Sequence, residues 1–263
     1  MPKTIEGLVE TRESKVLYLR INRPGDLNRL SPELIDHLSV LLAQLREDPD
    51  IQVVVITGAG DEFFSMGLLN PVIRASLSKD EVVRLVRRAN AVFDALEALP
   101  QIVIAAINGK VMAGAVELAL ACDLRYAADH VTLQMPEASW GGFPGAGAPV
   151  RLPLLVGKAR ALELICTARQ IDSAEMHQLG LIQGVHPQAS FRAEVAKVAQ
   201  TIANNGPLAV RGAKRIMATR QEPGLRAARE LSDALRHALE WSQDVDEGMA
   251  AHTEGRKPNF HGR

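Results

Sequence analysis

Short apolar runs alternate with amphipathic stretches in the first part of the chain. Residues 8–11 and 16–21 flank a polar turn at 13–15 and predict a β-hairpin. Ser31 followed by Pro32 predicts the start of a helix, since a serine side chain caps the first turn and proline fits it. Apolar residues then recur on one helical face, at Leu34, Leu38, Leu41, Leu42 and Leu45. This stretch therefore predicts a hairpin followed by an amphipathic helix.

Two further apolar runs have the length and flanks of buried parallel strands. Residues 53–57 are β-branched and precede Gly58, and residues 102–107 follow a helical pattern over 80–99. A helix over 114–121 and a strand over 123–127 come next. This rhythm of strand, helix and strand predicts an α/β fold with some parallel pairing.

Helical patterns dominate from about residue 149 onwards. The predicted helices cover residues 149–155, 158–167, 173–179, 188–204, 207–219 and 224–242. The last one carries an apolar stripe that fits either a subunit contact or an intramolecular one, formed by Leu225, Ala228, Leu231, Leu235 and Leu239. The chain is divided accordingly into a core, residues 1–200, and a helical C-terminal region, residues 201–263.

Composition excludes several classes of function. The formal net charge of −1 provides no basic field for nucleic acid or for an anionic membrane surface, and no apolar run reaches membrane-spanning length. The N-terminus has no secretion signal, and the only two cysteines, Cys122 and Cys166, read as small buried hydrophobes. These features predict a cytoplasmic protein. The histidines show no paired ligand spacing, so no metal site is predicted.

Two glycine-containing turns could present main-chain donors to one oxygen atom. Gly114 opens a helix after a strand, where backbone N–H groups are unpaired and the helix dipole is positive. Gly67 makes a turn that could present the N–H of Leu68. If the two strand-end loops are neighbours in a parallel sheet, both groups could form an oxyanion hole. Taken alone, either turn is more often a plain connector.

Two carboxylates lie near these turns in the sequence. Glu117 sits in an apolar helical stretch three residues after Gly114, and Glu137 follows a proline and leads into a glycine-rich loop. A buried acid usually has a partner or a task. A pair of carboxyl groups beside an oxyanion hole suits proton transfer next to a carbonyl. The alternatives are a helix-start glutamate stabilised by the dipole, for Glu117, and a surface loop residue, for Glu137.

Together these stretches resemble the enoyl-CoA hydratase/isomerase (crotonase) superfamily from about residue 5 to the C-terminus. The motifs that carry the resemblance are 22–24 (NRP), 27–28 (LN), 56–60 (ITGAG), 64–67 (FSMG), 108–109 (NG), 114–119 (GAVELA), 122–123 (CD), 136–137 (PE), 143–147 (FPGAG), 247–251 (EGMAA) and 256–258 (RKP). The resemblance implies a crotonase-like spiral of ββα units with a helical C-terminal trimerisation region. It also implies a homotrimer or a dimer of trimers that acts on acyl-CoA thioesters.

The resemblance assigns roles to individual residues. Leu68 and Gly114 would be the oxyanion donors, Glu117 would activate water for attack at C3, and Glu137 would deliver the proton to C2. That chemistry needs no metal or redox cofactor, and coenzyme A is part of the substrate. Having both glutamates favours an enoyl-CoA hydratase. A double-bond isomerase, a hydrolase and a non-catalytic acyl-CoA-binding relative stay open as alternatives.

Some positions bear on the substrate. The predicted substrate-binding residues are Met66, Gly67, Leu69, Trp140 and Phe143. Leu69 stands where the family commonly has an acidic residue. Trp140 and Phe143 would either pack in the core or narrow the acyl pocket. Candidate cations for the phosphates of coenzyme A are Arg23, Arg74 and Lys257.

Overall fold

The N-terminal hairpin forms one edge of a mixed sheet in the computed structural model, which describes residues 3–5, 7–221, 242–254 and 256–263. The seven strands of this sheet are, in spatial order, β1 (Lys3–Ile5), β2 (Leu8–Glu13), β3 (Val16–Ile21), β4 (Val53–Gly58), β6 (Ile102–Ile107), β8 (Leu124–Ala128) and β11 (Gly184–His186). The first three strands pair antiparallel, and every later pair is parallel.

A second, smaller sheet stands beside the first and consists of three-residue strands. Its order is β10 (Gln170–Asp172), β9 (Thr132–Gln134), β7 (Lys110–Met112) and β5 (Phe63–Ser65). The strands β9, β7 and β5 are mutually parallel, whereas β10 is antiparallel to β9. These strands are too short to show a periodicity, and only non-local pairing defines them. The sequence therefore did not predict them.

The helices cover the sheets and continue to the C-terminus. Their bounds are α1 (Pro32–Arg46), α2 (Pro71–Ala75), α3 (Lys79–Glu97), α4 (Gly114–Leu120), α5 (Ala148–Val156), α6 (Lys158–Thr167), α7 (Ser173–Gln178), α8 (Phe191–Ala203), α9 (Pro207–Gln221) and α10 (Gln243–Glu254). The predicted cap of α1 is confirmed, because the Ser31 hydroxyl accepts the N–H of Leu34 at 3.2 Å. The predicted α/β class is confirmed as well.

Two details depart from the sequence-based expectations. Gly58 ends β4 and Ile107 ends β6, but the loops expected to carry the donors follow β5 and β7 of the small sheet. Cys122 is buried as predicted, whereas Cys166 is exposed, so that prediction is wrong for Cys166. The reason is helical geometry: α6 buries Ala161 and Leu164, and position 166 faces away from that side.

The described residues do not test two of the predictions, the helix over 224–242 and the boundary at residue 200. Most of the helix predicted over 224–242, with its apolar stripe, lies outside the described part of the chain. The division at residue 200 falls within α8 and stays a prediction. None of the described helices is long and apolar enough to cross a bilayer.

Candidate active site

Three loops meet at one edge of the small sheet, because each follows one of three adjacent parallel strands. Residues 66–68 follow β5, residues 113–114 follow β7, and residues 135–137 follow β9. The carboxyl ends of neighbouring parallel strands share an edge, where ligand sites commonly form. The topology thus brings together Leu68, Gly114 and Glu137, which lie far apart in the sequence.

The Leu68 and Gly114 backbones lie against each other. A Cβ atom built on Gly114 would be 3.3 Å from the Leu68 nitrogen, and one built on Gly67 would be 2.9 Å from the Gly114 nitrogen. Gly67 has φ +79° and Ala113 has φ +54°, so both turns use left-handed backbone to make this approach. Neither the Leu68 nor the Gly114 N–H donates to an acceptor among the described residues. Two unpaired amides of this kind can bind one oxygen atom.

The loop that carries Leu68 is anchored by the segment before α1. The Leu30 N–H donates to the Gly67 carbonyl at 3.0 Å, and the Met66 N–H donates to the Leu27 carbonyl at 3.1 Å. Arg29 Nη1 donates to the Met66 carbonyl at 2.9 Å. These contacts hold the donor loop without using the N–H of Leu68. Leu27 belongs to the LN motif at 27–28. The motif itself does not indicate that its backbone binds the loop of Leu68.

Glu117 is buried, and its carboxylate contacts the start of a different helix. The side chain is in the first full turn of α4, and the residue is 3% exposed. Its Oε1 atom accepts the N–H of Ala146 at 2.7 Å and the N–H of Ala148 at 3.0 Å, at the N-terminus of α5. The carboxylate is therefore bound by α5, in addition to any effect of its own helix dipole.

Burial raises the pKa of Glu117 to about 7, against the lowering effect of the two backbone N–H donors and of Arg151. The charge of Glu137 adds to this rise in the pKa of Glu117.

Glu137 is half-buried at the start of a 3₁₀ turn over Glu137–Trp140. Burial raises the pKa of its carboxyl group to about 7 as well. Its buried Oε2 atom has no hydrogen-bond partner among the described residues. A surface loop glutamate would keep an ordinary pKa and a hydrated carboxylate. This environment does not fit a simple surface loop residue, and proton transfer by Glu137 stays a prediction.

The predicted substrate-binding residues divide into two sets. Met66 and Leu69 are half-buried and Gly67 is buried, all beside Leu68 in the sequence. Trp140 is 37% exposed and Phe143 is 72% exposed on the loop after Glu137. Neither aromatic ring is a core residue of this chain, so the packing alternative is wrong for both. Their contact with an acyl group stays a prediction.

Of the candidate cations for coenzyme A, Arg74 lies nearest the described site. Its Nη1 atom is 3.9 Å from a Cβ built on Gly142, in the loop after Glu137. Arg23 pairs with Asp26 at 2.8 Å, and Lys257 is exposed in the C-terminal tail. Of the three candidate cations, Arg74 is thus the one that lies beside the loop after Glu137.

Sequence reasoning missed the residues that hold the loop 145–148. Asn90 Nδ2 donates to the Gly145 carbonyl at 2.7 Å, and Arg151 Nη1 donates to the Ala146 carbonyl at 3.4 Å. Asn90 comes from α3, which is distant from this loop in the sequence, whereas Arg151 lies on α5, the helix that the loop leads into. The one available signal was a charged residue, Arg151, in an otherwise apolar helical stretch.

A separate cavity of about 480 Å³ lies at the other end of α4, between α5 and α9. Its lining includes Arg125, Lys214 and Met217, but neither Glu117 nor Glu137. The two glutamates, Leu68 and Gly114 are therefore not part of this cavity. Among the described residues no group of three or more His, Cys, Asp or Glu side chains is arranged to hold a metal ion.

Comparisons with known proteins agree with the geometry. The enoyl-CoA hydratase/isomerase family profile matches residues 11–263. A crotonyl-CoA hydratase of Syntrophomonas wolfei is 33% identical over 255 residues, covering 97% of this chain and 98% of the relative. A peroxisomal Δ(3,5)-Δ(2,4)-dienoyl-CoA isomerase of Arabidopsis thaliana is 32% identical over 269 residues, covering 98% and 97%.

Solved structures show the same likeness. The crystal structure of an enoyl-CoA hydratase from Bacillus anthracis superposes with a TM-score of 0.95 at 34% identity, covering 98% of this chain and all of that one. The predicted crotonase-like fold is thereby confirmed, since the two chains superpose over nearly their whole length. The chain belongs to the enoyl-CoA hydratase/isomerase family.

Proposed function

We propose that this protein is an enoyl-CoA hydratase, which adds water across the double bond of a trans-2-enoyl-CoA thioester. The observation that carries the proposal is the placement of two acids beside two unpaired amides: Glu117 lies on the helix that Gly114 opens, and Glu137 lies on the loop after the neighbouring strand β9. Burial raises the pKa of both carboxyl groups to about 7. Hydration needs one group that accepts a proton and one that donates a proton at the same pH. A pKa near the working pH serves both tasks.

In the proposed mechanism, the thioester oxygen accepts hydrogen bonds from the Leu68 and Gly114 N–H groups. Glu117 takes a proton from water while the water oxygen forms a bond to C3. The π electrons of the C2–C3 bond move into the thioester, and the two amides stabilise the resulting enolate oxygen. The electron pair then forms a C2–H bond with the proton of Glu137.

The contacts of the two acids support this division of roles. Glu117 Oε1 is occupied by the N–H groups of Ala146 and Ala148, which stabilise a carboxylate and leave its second oxygen to take the water proton. Glu137 Oε2 is buried and unpaired among the described residues, an environment that favours the protonated form. The reaction changes no oxidation state overall, and coenzyme A enters as part of the substrate.

The test is hydration of crotonyl-CoA, followed by the loss of absorbance of the conjugated thioester. Replacing either acid (Glu117→Gln or Glu137→Gln) should lower kcat by about 10²–10⁴-fold with little change in KM, as loss of a general acid or base does. Glu47→Gln is the matched control, because Glu47 is exposed at the end of α1. Wild-type rates in both active-site variants would refute the proposal.

A second candidate is a double-bond isomerase, favoured by the name of the Arabidopsis thaliana relative. An isomerase would move the double bond without adding water. Incubation with 2-enoyl-, 3-enoyl- and 3,5-dienoyl-CoA, with product analysis by mass, separates the two reactions because only hydration adds 18 mass units. Binding of these thioesters without any turnover would instead indicate a non-catalytic relative.

We also propose a homotrimer or a dimer of trimers, on the basis of the family resemblance. The cytoplasmic location rests on the composition and stays a prediction. Light scattering coupled to size-exclusion chromatography checks the assembly, since a monomer or a dimer would refute it.

A further inference from the structure

Arg151 is a buried cation whose partners lie on a neighbouring helix. Its side chain is 7% exposed, and its Nη2 and Nε atoms contact Asp94 Oδ1 at 2.5 Å and Glu97 Oε2 at 2.8 Å. Both acids are on α3 and are largely exposed, whereas Arg151 is on α5. A buried guanidinium needs such partners, and two carboxylates also fix the orientation of its plane. Thus α3 determines where the remaining nitrogen, Nη1, is directed.

That third nitrogen reaches the loop that binds Glu117. Arg151 Nη1 donates to the Ala146 carbonyl at 3.4 Å, while the Ala146 N–H donates to Glu117 Oε1 at 2.7 Å. The same residue is therefore held on one side by the arginine and on the other by the glutamate. Gly147 has φ +116°, and a Cβ built on it would be 2.0 Å from Arg151 Nη1. The loop has room for the guanidinium only because residue 147 is a glycine.

The positive charge of Arg151 also acts on the site. It opposes the rise that burial causes in the pKa of Glu117. The charged groups that act on Glu117 are Arg151, from α5, and Glu137, from the loop after β9. The charged groups around Arg151 are Asp94 and Glu97.

We propose that Arg151 is a positioning residue: anchored by Asp94 and Glu97, it holds the 146–148 peptides in the orientation that binds the Glu117 carboxylate. It does not touch the substrate. The inference rests on the proposed function in that Glu117 is taken as the base for water. A displaced loop would misplace that base, and a misplacement of about 1 Å can lower turnover by roughly 100-fold.

The experiment compares Arg151→Met and Arg151→Lys with Arg169→Met. Arg169 is the matched control because it also pairs with two carboxylates, Glu163 and Glu175, on the surface. Arg151→Met should lower kcat by about 10–100-fold with KM within about 3-fold, and should move the acid limb of the pH–kcat profile to higher pH. Arg151→Lys keeps a charge but loses the fork, so kcat should fall while the acid limb moves less. Arg169→Met should change neither quantity.

A purely structural role would lower the melting temperature and leave the acid limb in place. That result, or a folded Arg151→Met variant with kcat within about 2-fold of wild type, overturns the inference.

If wild-type protein does not hydrate crotonyl-CoA, the proposed function fails, but the inference can still be tested by urea unfolding at pH 5.5 and 8.5. Arg151→Met should then lose more stability between these pH values than wild type does, because Glu117 titrates at higher pH. An equal loss overturns the inference.

Discussion

The Ala146 N–H donates to Glu117 Oε1 at 2.7 Å, which makes the acid of one helix part of the N-terminus of another. Glu117 belongs to α4, and Ala146 immediately precedes the turn into α5. The carboxylate is thus oriented by packing between elements about thirty residues apart, in addition to its own rotamer. Any change in the angle between these helices would alter the position of the acid.

The rate of hydration should depend on pH with a maximum near 7. Burial raises the pKa of both carboxyl groups to about 7, so both change protonation state in this pH range. Below this range both are protonated and no base is present, and above it both are ionised and no acid is present. We expect a bell-shaped pH–kcat profile for crotonyl-CoA. A profile that is flat from pH 5 to 9 would contradict the assignment of both roles.

The stability of the fold should fall as pH rises from about 5 to about 8. Both pKa values are raised from 4.5 to about 7, so the folded protein binds more protons than the unfolded chain in this range. Their favourable contribution is complete below about pH 4.5 and is lost as pH passes 7. For Glu117 alone the loss is up to about 3 kcal/mol.

Urea unfolding at several pH values measures this loss. The double variant Glu117→Gln with Glu137→Gln should show a flatter dependence between pH 5 and 8, because neither amide titrates. Glu47→Gln provides the matched comparison. A double variant with the same slope as wild type would show that other groups cause the pH dependence.

Gly67→Ala should impair both folding and turnover. The new Cβ would lie 2.7 Å from the Met112 carbonyl oxygen and 2.9 Å from the Gly114 nitrogen, at φ +79°. We expect a loss of about 1–3 kcal/mol of stability from the strained backbone. The two donor loops would also separate, with a fall in kcat of roughly 100-fold.

Gly180→Ala is the control for Gly67→Ala. It has φ +75° and no atom within 4 Å of the added Cβ, so it imposes the backbone strain without the contact. It should lose about 1 kcal/mol of stability and keep the wild-type kcat. Chemical denaturation measures the loss of stability, and crotonyl-CoA kinetics measure the change in kcat. Similar kcat values in both variants would contradict the idea that Gly67 allows the two donor loops to approach each other.

Asn108→Ala should destabilise the protein without touching the proposed reaction. The buried Asn108 Oδ1 accepts the Gly58 N–H at 2.8 Å, and its Nδ2 donates to the Gly60 carbonyl at 2.7 Å. The alanine variant leaves both backbone groups without these partners, at a cost of about 1–3 kcal/mol. Asn204→Ala, at an exposed helix end, should cost less than about 0.5 kcal/mol. Equal unfolding midpoints for the two variants would contradict this account.

The sequence predicted several long elements well, for identifiable reasons, whereas the roles of the candidate acids stay predictions. The cap at Ser31, the β-branched run of β4 and the helix at Gly114 are signals carried by neighbouring residues. The small sheet could not be predicted, because β5, β7 and β9 are three residues each and exist only through pairing with one another. The residues alone therefore gave the adjacency of the two donor loops only as a condition, and they did not place the loop of Glu137 beside them.

Residues that act through a distant contact were also missed. The sequence indicated a buried Glu117 but not that the start of α5 would supply its hydrogen-bond donors. Those donors are the backbone N–H groups of Ala146 and Ala148, and every residue except proline has such a group, so the residue type does not reveal them. Arg151 could be seen only as a charge in an apolar helix. Its partners, Asp94 and Glu97, follow from tertiary packing.

The proposed anion-binding groups at Leu68 and Gly114 are peptide N–H groups, and this has an evolutionary consequence. A point mutation replaces a side chain but leaves the amide of every residue other than proline in place. A lineage can therefore exchange its acids, bases and pocket walls one codon at a time while its capacity to hold an oxyanion is inherited unchanged. Proteins with divergent reactions can thus share this scaffold, and the side chains around the amides are where their differences must be sought.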